Sequence, residues 1–125
     1  MTINEAIMQV DQLLANKTPR ETKIRWLSDL DYGLFLDVIL THETPNEVEF
    51  VPYDENTDGD TKLVAEAPHD AMYIEYLKMK INSELYEYAR YNSNMQAFNT
   101  MLDNFKAYYN RNYKPSKYFG MRYWG

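Results

Sequence analysis

The chain has 125 residues, of which 45% are apolar and 26% charged, and its formal net charge is −6 at pH 7. This length fits one domain with its own core, and no apolar run approaches the ~18 residues of a membrane span. The chain has no cysteine, which excludes disulfides and fits a reducing compartment, and its start lacks the basic-then-apolar layout of a signal peptide.

Charge and aromatic residues are unevenly distributed. All 19 acidic residues lie in the first 103 residues, which carry eight basic residues and a net charge of −11, whereas the last 22 carry five basic residues and no acidic one. This asymmetry predicts docking onto an acidic neighbour, contact with nucleic acid, or folding of the basic end onto its own acidic body. The 12 Tyr, five Phe and two Trp exceed what a small interior holds, so we expect some at subunit contacts.

The N-terminal third predicts two helices, over about residues 3–15 and 19–41. Thr2 with Glu5, and Thr18 with Glu21, form capping boxes, the second with Pro19 at the first helical position. Apolar residues then recur at helical spacing: Ile3, Ile7, Val10 and Leu14 in the first helix, and Ile24, Leu27, Leu34, Phe35 and Val38 in the second, widened by Trp26 and Leu30.

Asp31 falls on the apolar stripe of the second predicted helix. A carboxylate there either reaches solvent or a cap, or it holds a buried partner. The sequence leaves both alternatives open.

Residues 43–66 break the helical pattern and predict a long ordered loop or a small β-hairpin. Within them, Asp54, Asn56 and Asp58 have the spacing that opens a calcium loop. The twelfth position of that loop is Ala65 instead of a bidentate Glu. The pattern therefore favours an acidic surface turn over an ion site.

The C-terminal half predicts two further helices, over about residues 69–91 and 94–113. Pro68 and Asp70 signal the start of the third helix, and Ser93 with Gln96 forms a capping box for the fourth, which Pro115 ends. The stripe of the third helix comprises Ile74, Leu77, Ile81, Leu85, Tyr88 and Tyr91, and that of the fourth comprises Met95, Phe98, Leu102, Phe105, Tyr109 and Tyr113.

These patterns predict a mainly all-α fold: a four-helix bundle-like domain over residues 1–113, with the long loop or small hairpin between helices 2 and 3. Residues 114–125 form an extended C-terminal arm. The arm is too apolar for a solvated linker and too short to fold alone, so we expect it to dock.

The sequence offers no catalytic, cofactor or metal site. His42 and Glu43 begin like a zinc-protease motif, but the second His is missing and Pro45 disrupts the helix that the motif requires. His69 is distant in sequence, so both histidines are expected at the surface or in caps. No serine has a G-x-S-x-G context and no glycines cluster around a phosphate loop, which favours a protein that is not an enzyme.

The end of the fourth helix and the arm interleave aromatic and basic side chains. This composition suits an arm lying in a neighbour's groove, and it also suits stacking on single-stranded bases. The overall acidity favours a protein partner. The candidate interface residues are Tyr109, Arg111, Tyr113, Lys114, Lys117, Tyr118, Phe119, Arg122, Tyr123 and Trp124.

Scattered positions over residues 2–115 resemble the head-to-tail connector (adaptor) proteins of tailed double-stranded-DNA phages of Gram-positive hosts. The similar positions are Arg25-Trp26-Leu27 and Leu30-Asp31; Ala67-Pro68-His69-Asp70-Ala71-Met72-Tyr73, Tyr76-Leu77 and Lys80-Ile81; and Arg90-Tyr91-Asn92-Ser93, Phe98-Asn99, Phe105 and Tyr109. The Tyr-rich arm lies outside this pattern.

The resemblance implies a mostly helical structural protein without catalytic activity or cofactors. Such proteins form a ring, usually twelve-fold in the virion, that joins the portal to the tail or a head-completion protein. DNA passes through the channel without specific binding. The implied location is the virion neck, with host cytoplasm before assembly, and no membrane is involved. A small nucleic-acid-binding regulatory protein that uses the basic aromatic tail is the alternative.

Overall fold

The computed structural model describes residues 1–45 and 49–116 and shows a mainly helical domain, which confirms the predicted fold class. The second helix continues through a π-helical turn, and a 3-10 turn leads into the third. The helices are α1 (Ile3–Leu13), α2 (Arg20–Leu34, with the π turn Phe35–Ile39), α3 (Met72–Glu84, after the 3-10 turn His69–Ala71) and α4 (Tyr88–Asn112).

One apolar core joins the four helices, and α3 packs most extensively against α4. The predicted stripes supply most of its side chains, because residues three or four apart share a helix face. Fully or nearly fully buried members are Ile3, Ile7 and Val10 from α1; Ile24, Leu27 and Leu34 from α2; Ile74, Leu77 and Ile81 from α3; and Phe98 and Phe105 from α4.

The two N-terminal helices begin differently. The Thr2 hydroxyl accepts a hydrogen bond from the Glu5 amide at 3.1 Å, so the predicted cap of α1 is confirmed. The predicted hydroxyl cap at Thr18 is wrong, because Pro19 takes the N-cap position of α2 without a side-chain hydrogen bond. Its carbonyl accepts the first helical hydrogen bonds instead.

The break between α3 and α4 lies earlier than predicted. Residues 69–91 do not form one helix: α3 ends at Glu84, and Ser93, the predicted start of the fourth helix, lies inside α4. Tyr86 has a φ of 57°, in the left-handed region that ends a helix.

The hydrogen bonds around this break define a Schellman motif. The Glu87 amide donates to the Asn82 carbonyl at 2.9 Å and the Tyr86 amide to the Ser83 carbonyl at 3.2 Å, which is the pair of bonds that motif requires. Glycine is usual at the left-handed position. Tyrosine occupies it here, and so the sequence lacks the signal that marks this turn.

Residues 49–66 form an ordered loop, and no strand is present in this described part of the predicted loop or hairpin. The loop lies along the start of α1, where the Ile3 amide donates to Thr61, the Asn4 amide to Gly59 and the Leu63 amide to the Met1 carbonyl. These bonds satisfy two of the amides that the first turn of a helix leaves unpaired.

Candidate functional site

A buried carboxylate fixes the loop to the helices. Asp31 is fully buried, and it accepts hydrogen bonds from the hydroxyls of Tyr53 and Tyr73, each at 2.6 Å, and from the Val64 amide at 3.0 Å. The Tyr73 hydroxyl in turn accepts a hydrogen bond from the Ala65 amide at 2.7 Å. Of the two alternatives left open by the sequence, Asp31 therefore takes the buried one.

Burial sets the protonation behaviour of this cluster. It raises the pKa of Asp31 despite the three hydrogen bonds, which act in the opposite direction. Burial and the neighbouring carboxylate also raise the pKa of Tyr53 and Tyr73. The tyrosines are donors to Asp31, not nucleophiles or bases, and the cluster positions Tyr53 and Val64 in the wall of an adjacent cleft.

That cleft, of about 670 Å³, lies between the ordered loop and the C-terminal end of α4. Tyr108, Tyr109 and Tyr113 line one side of it, and Phe50 and Tyr53 line the other. The ring centroids of Tyr109 and Tyr113 are 4.9 Å apart, and burial raises the pKa of Tyr109 to about 12. We call this the aromatic cleft.

Three charged residues line the aromatic cleft, and two of them are acidic. Glu49 and Glu66 face it together with Lys62, and all three are exposed. His69 adds its ring, in edge contact with Phe105 at 5.5 Å between centroids. The cleft is therefore an apolar, net acidic surface that suits a basic, aromatic ligand.

The first residues after α4 pair with the end of the second helical segment. The Glu43 amide donates to the Lys114 carbonyl at 2.7 Å, and the Ser116 amide donates to the Thr41 carbonyl at 2.9 Å. The Ser116 hydroxyl also donates to the Leu40 carbonyl. Because this pairing is antiparallel, residues 114–116 run from the level of Glu43 towards the level of Leu40.

His42 lies beside this pairing and, of the two places expected for it, takes the cap and not the surface, because its ring binds a carbonyl at the end of the second helical segment. Its ring is buried: Nδ1 donates to the Val38 carbonyl at 2.7 Å, and Nε2 lies 2.8 Å from the side-chain amide of Asn110. Tyr109 packs against the ring edge at 5.6 Å. The end of α4 covers His42, which ties the root of the arm to the core.

Four of the ten predicted interface residues lie in the described part of the chain. Tyr109 and Tyr113 line the aromatic cleft, Lys114 lies in the paired segment, and Arg111 is exposed on the last turn of α4. The other predicted residues lie outside the described residues, and they are Lys117, Tyr118, Phe119, Arg122, Tyr123 and Trp124.

A second exposed apolar surface lies at the turn between α3 and α4, where the sequence predicted a buried stripe. Leu85 is 48% exposed, Tyr86 75% and Tyr88 64%, because the left-handed residue turns the chain before the stripe can continue. We call these three residues the tyrosine corner. A Schellman turn without glycine gives no sequence signal by which it could have been found.

The acidic turn directs its carboxylates at its own backbone. Asp54 accepts a hydrogen bond from the Asn56 amide at 2.8 Å, and Asp58 accepts one from the Asp60 amide at 2.9 Å. These are Asx turns, in which an aspartate stabilises a tight turn. Among the described residues no group of three or more His, Cys, Asp or Glu side chains is arranged to hold a metal ion.

Comparisons with protein-family models, with curated proteins and with solved structures find no match for this chain. In the described part of the chain, each helix is too short or too polar to cross a bilayer.

Proposed function

We propose that this protein is a structural subunit of a phage neck: a head-tail connector that oligomerises into a ring between the portal and the tail or next neck protein. DNA passes through the ring. The observation that carries the proposal is the pair of exposed aromatic surfaces on a small helical domain, because apolar surface left in water marks sites of protein contact.

The first support comes from the tyrosine corner. Tyr86 adopts a left-handed conformation that is unfavourable for a bulky residue, and its ring is largely exposed. A side chain that contributes little to the monomer's core and adds backbone strain is better explained by contact with another molecule. The corner lies at the opposite end of α4 from the aromatic cleft, and so the subunit offers contact surfaces at two separate ends.

The second support comes from charge. The described domain is strongly acidic, and like charges repel the phosphate backbone. An acidic channel wall would let DNA slide through a ring without binding to it. The sequence resemblance to connector proteins agrees with this arrangement in fold class and in the absence of recognisable catalytic motifs.

Electron microscopy of the purified protein, alone and mixed with portal rings, tests the proposal. We expect ring-shaped particles, or a ring seated on the portal, and capsids made without the protein should lack a neck. Removal of residues 117–125 should prevent docking while the helical circular-dichroism signal is retained. A protein that stays monomeric and binds neither the portal nor the capsid contradicts the proposal.

A small nucleic-acid-binding regulator is the second candidate. It is favoured by one observation: the exposed Arg111 and Lys114 flank Tyr113, as in surfaces that stack and neutralise single strands. This function requires binding that weakens steeply between roughly 50 and 200 mM salt. A gel-shift series with single-stranded oligonucleotides separates the two candidates.

A further inference from the structure

The aromatic cleft and the residues that follow Ser116 have complementary chemistry. The cleft offers tyrosine and phenylalanine rings with two carboxylates and one ammonium group on its lining. Residues 117–125 contain Tyr118, Phe119, Tyr123 and Trp124, and their charged side chains are Lys117 and Arg122. Aromatic and arginine side chains are the usual anchors of such contacts.

We propose that the aromatic cleft of one subunit receives residues 117–125 of a second copy of this chain. This inference rests on the proposed function, since it names the contact that would join neighbouring subunits of the ring. Such a contact is head-to-tail, with one surface giving an arm and a different surface receiving it. Contacts of that kind close into rings when the rotation between subunits allows.

The chain beyond Ser116 is long enough to reach a second copy. Antiparallel pairing carries the chain from Lys114, opposite Glu43, to Ser116, opposite Thr41. Ile39, Thr44 and Pro45 all line the subunit's own cleft. At Ser116, which bonds to Thr41 and Leu40, the chain is running away from Thr44 and Pro45 and towards the level of Ile39. Its nine remaining residues span at most roughly 30 Å when extended, enough to reach an adjacent subunit.

The position of the charges supports the same pairing. Glu66 and Glu49 outnumber Lys62 on the cleft lining, so Lys117 and Arg122 of an incoming arm meet net negative charge. Charge pairs of this kind guide association and fix register more than they add affinity. The aromatic rings supply the apolar area that holds the arm in place.

Cysteine cross-linking tests the contact directly, because the natural chain has no cysteine. Ala67 is an exposed residue of the cleft lining, and Met121 lies in the middle of the arm. Two single variants of the full chain, Ala67→Cys and Met121→Cys, are mixed and oxidised. We expect a covalent heterodimer on a non-reducing gel that disappears on reduction.

A matched control uses Met8→Cys, an exposed site on α1 that does not line the cleft. Oxidised with Met121→Cys, it should give at least ten-fold less heterodimer. The double variant Ala67→Cys with Met121→Cys should form a ladder of oligomers. Equal yields from both cleft and control sites, or an internal bond within one chain, overturn the inference.

Charge reversal gives a second measurement that does not depend on oxidation. Glu66→Lys should reduce the ring fraction seen by mass photometry, and adding Arg122→Glu should restore it. If the natural protein forms rings, but the cysteine variants do not cross-link and Arg122→Glu does not rescue Glu66→Lys, the inference fails while the proposed function stands. If the cross-link forms but neither rings nor portal binding is seen, the proposed function fails instead.

Discussion

The Asp31 carboxylate and the Tyr73 hydroxyl lie 2.6 Å apart inside the protein, although the two residues are 42 positions apart in the chain. This hydrogen bond joins α2 to α3, and the other oxygen of Asp31 accepts from Tyr53 and Val64. A single buried carboxylate therefore sets the position of both helices and of the loop that walls the aromatic cleft.

Replacing Asp31 tests how much stability depends on this cluster. Asp31→Ala leaves two tyrosine hydroxyls and one backbone amide without their acceptor, and each buried unpaired group is costly. We expect the free energy of unfolding to fall by about 3 kcal/mol or more, measured by urea denaturation. Asp29→Ala, at an exposed position of the same helix, should change it by less than about 0.5 kcal/mol.

The pH dependence of stability follows from the direction of the Asp31 shift. Burial raises its folded-state pKa above the ordinary value of 3.8, so the folded protein binds the proton more tightly than the unfolded chain. The contribution of the raised Asp31 pKa to folding stability is therefore fully present below pH 3.8, and it is lost as pH rises through the folded-state pKa. Relative to Asp31→Asn, the natural protein should lose stability as pH rises through this interval. Urea denaturation of both proteins across pH measures the difference, and parallel curves contradict the prediction.

At position 86, glycine is expected to be more stabilising than alanine, which is the reverse of the order inside a helix. Tyr86→Gly removes the strain of a left-handed tyrosine, and it should be more stable than Tyr86→Ala by about 1 kcal/mol. The same comparison inside α4 should reverse, since Ala97→Gly costs about 1 kcal/mol in a helix interior. Thermal unfolding of the variants checks both signs. A Tyr86→Gly variant that is less stable than Tyr86→Ala would contradict the prediction.

His42 and Asn110 should behave as a coupled pair. Each single alanine variant breaks their 2.8 Å contact and should reduce stability by about 1–3 kcal/mol. Because the first substitution already removes the contact, the double variant should cost less than the two effects added, by about 0.5 kcal/mol or more. A double-mutant cycle in urea measures this coupling, and strict additivity would show that the contact contributes nothing.

Substitutions in the tyrosine corner are expected to weaken assembly with little effect on folding stability. Leu85→Ser combined with Tyr88→Ser changes two exposed side chains, so the melting temperature of the subunit should move by only a few degrees. If the corner is a contact surface, ring formation or portal docking should weaken at least ten-fold. Mass photometry over a concentration series checks this, with the exposed Met8→Ser as a matched control on α1.

Some features of the fold were predictable because they depend on neighbours in sequence. The cap at Thr2 and the buried stripes of α1 and α2 follow from spacing alone. The turn at Tyr86 was missed because its usual signal is glycine. Its neighbours Leu85 and Tyr88 continue the helical periodicity of α3 without a break, although both are exposed.

The candidate site was harder to predict because it is built from distant segments. Nothing near Asp31 in the sequence indicates that Tyr53 and Val64 will be its partners. The burial of His42 depends in the same way on Asn110, 68 residues away. The interleaving of aromatic and basic residues did point to Tyr109 and Tyr113, both of which line the cleft.

The pairing of Lys114–Ser116 with Thr41–Glu43 also has a mechanical consequence. A force applied along the direction of residues 114–116 loads these hydrogen bonds together in shear, so they do not open one after another. The load then passes to the helix ends held by His42. The neck function proposed above would place the subunit under tension while genome and tail are attached, and this anchorage is suited to such a load.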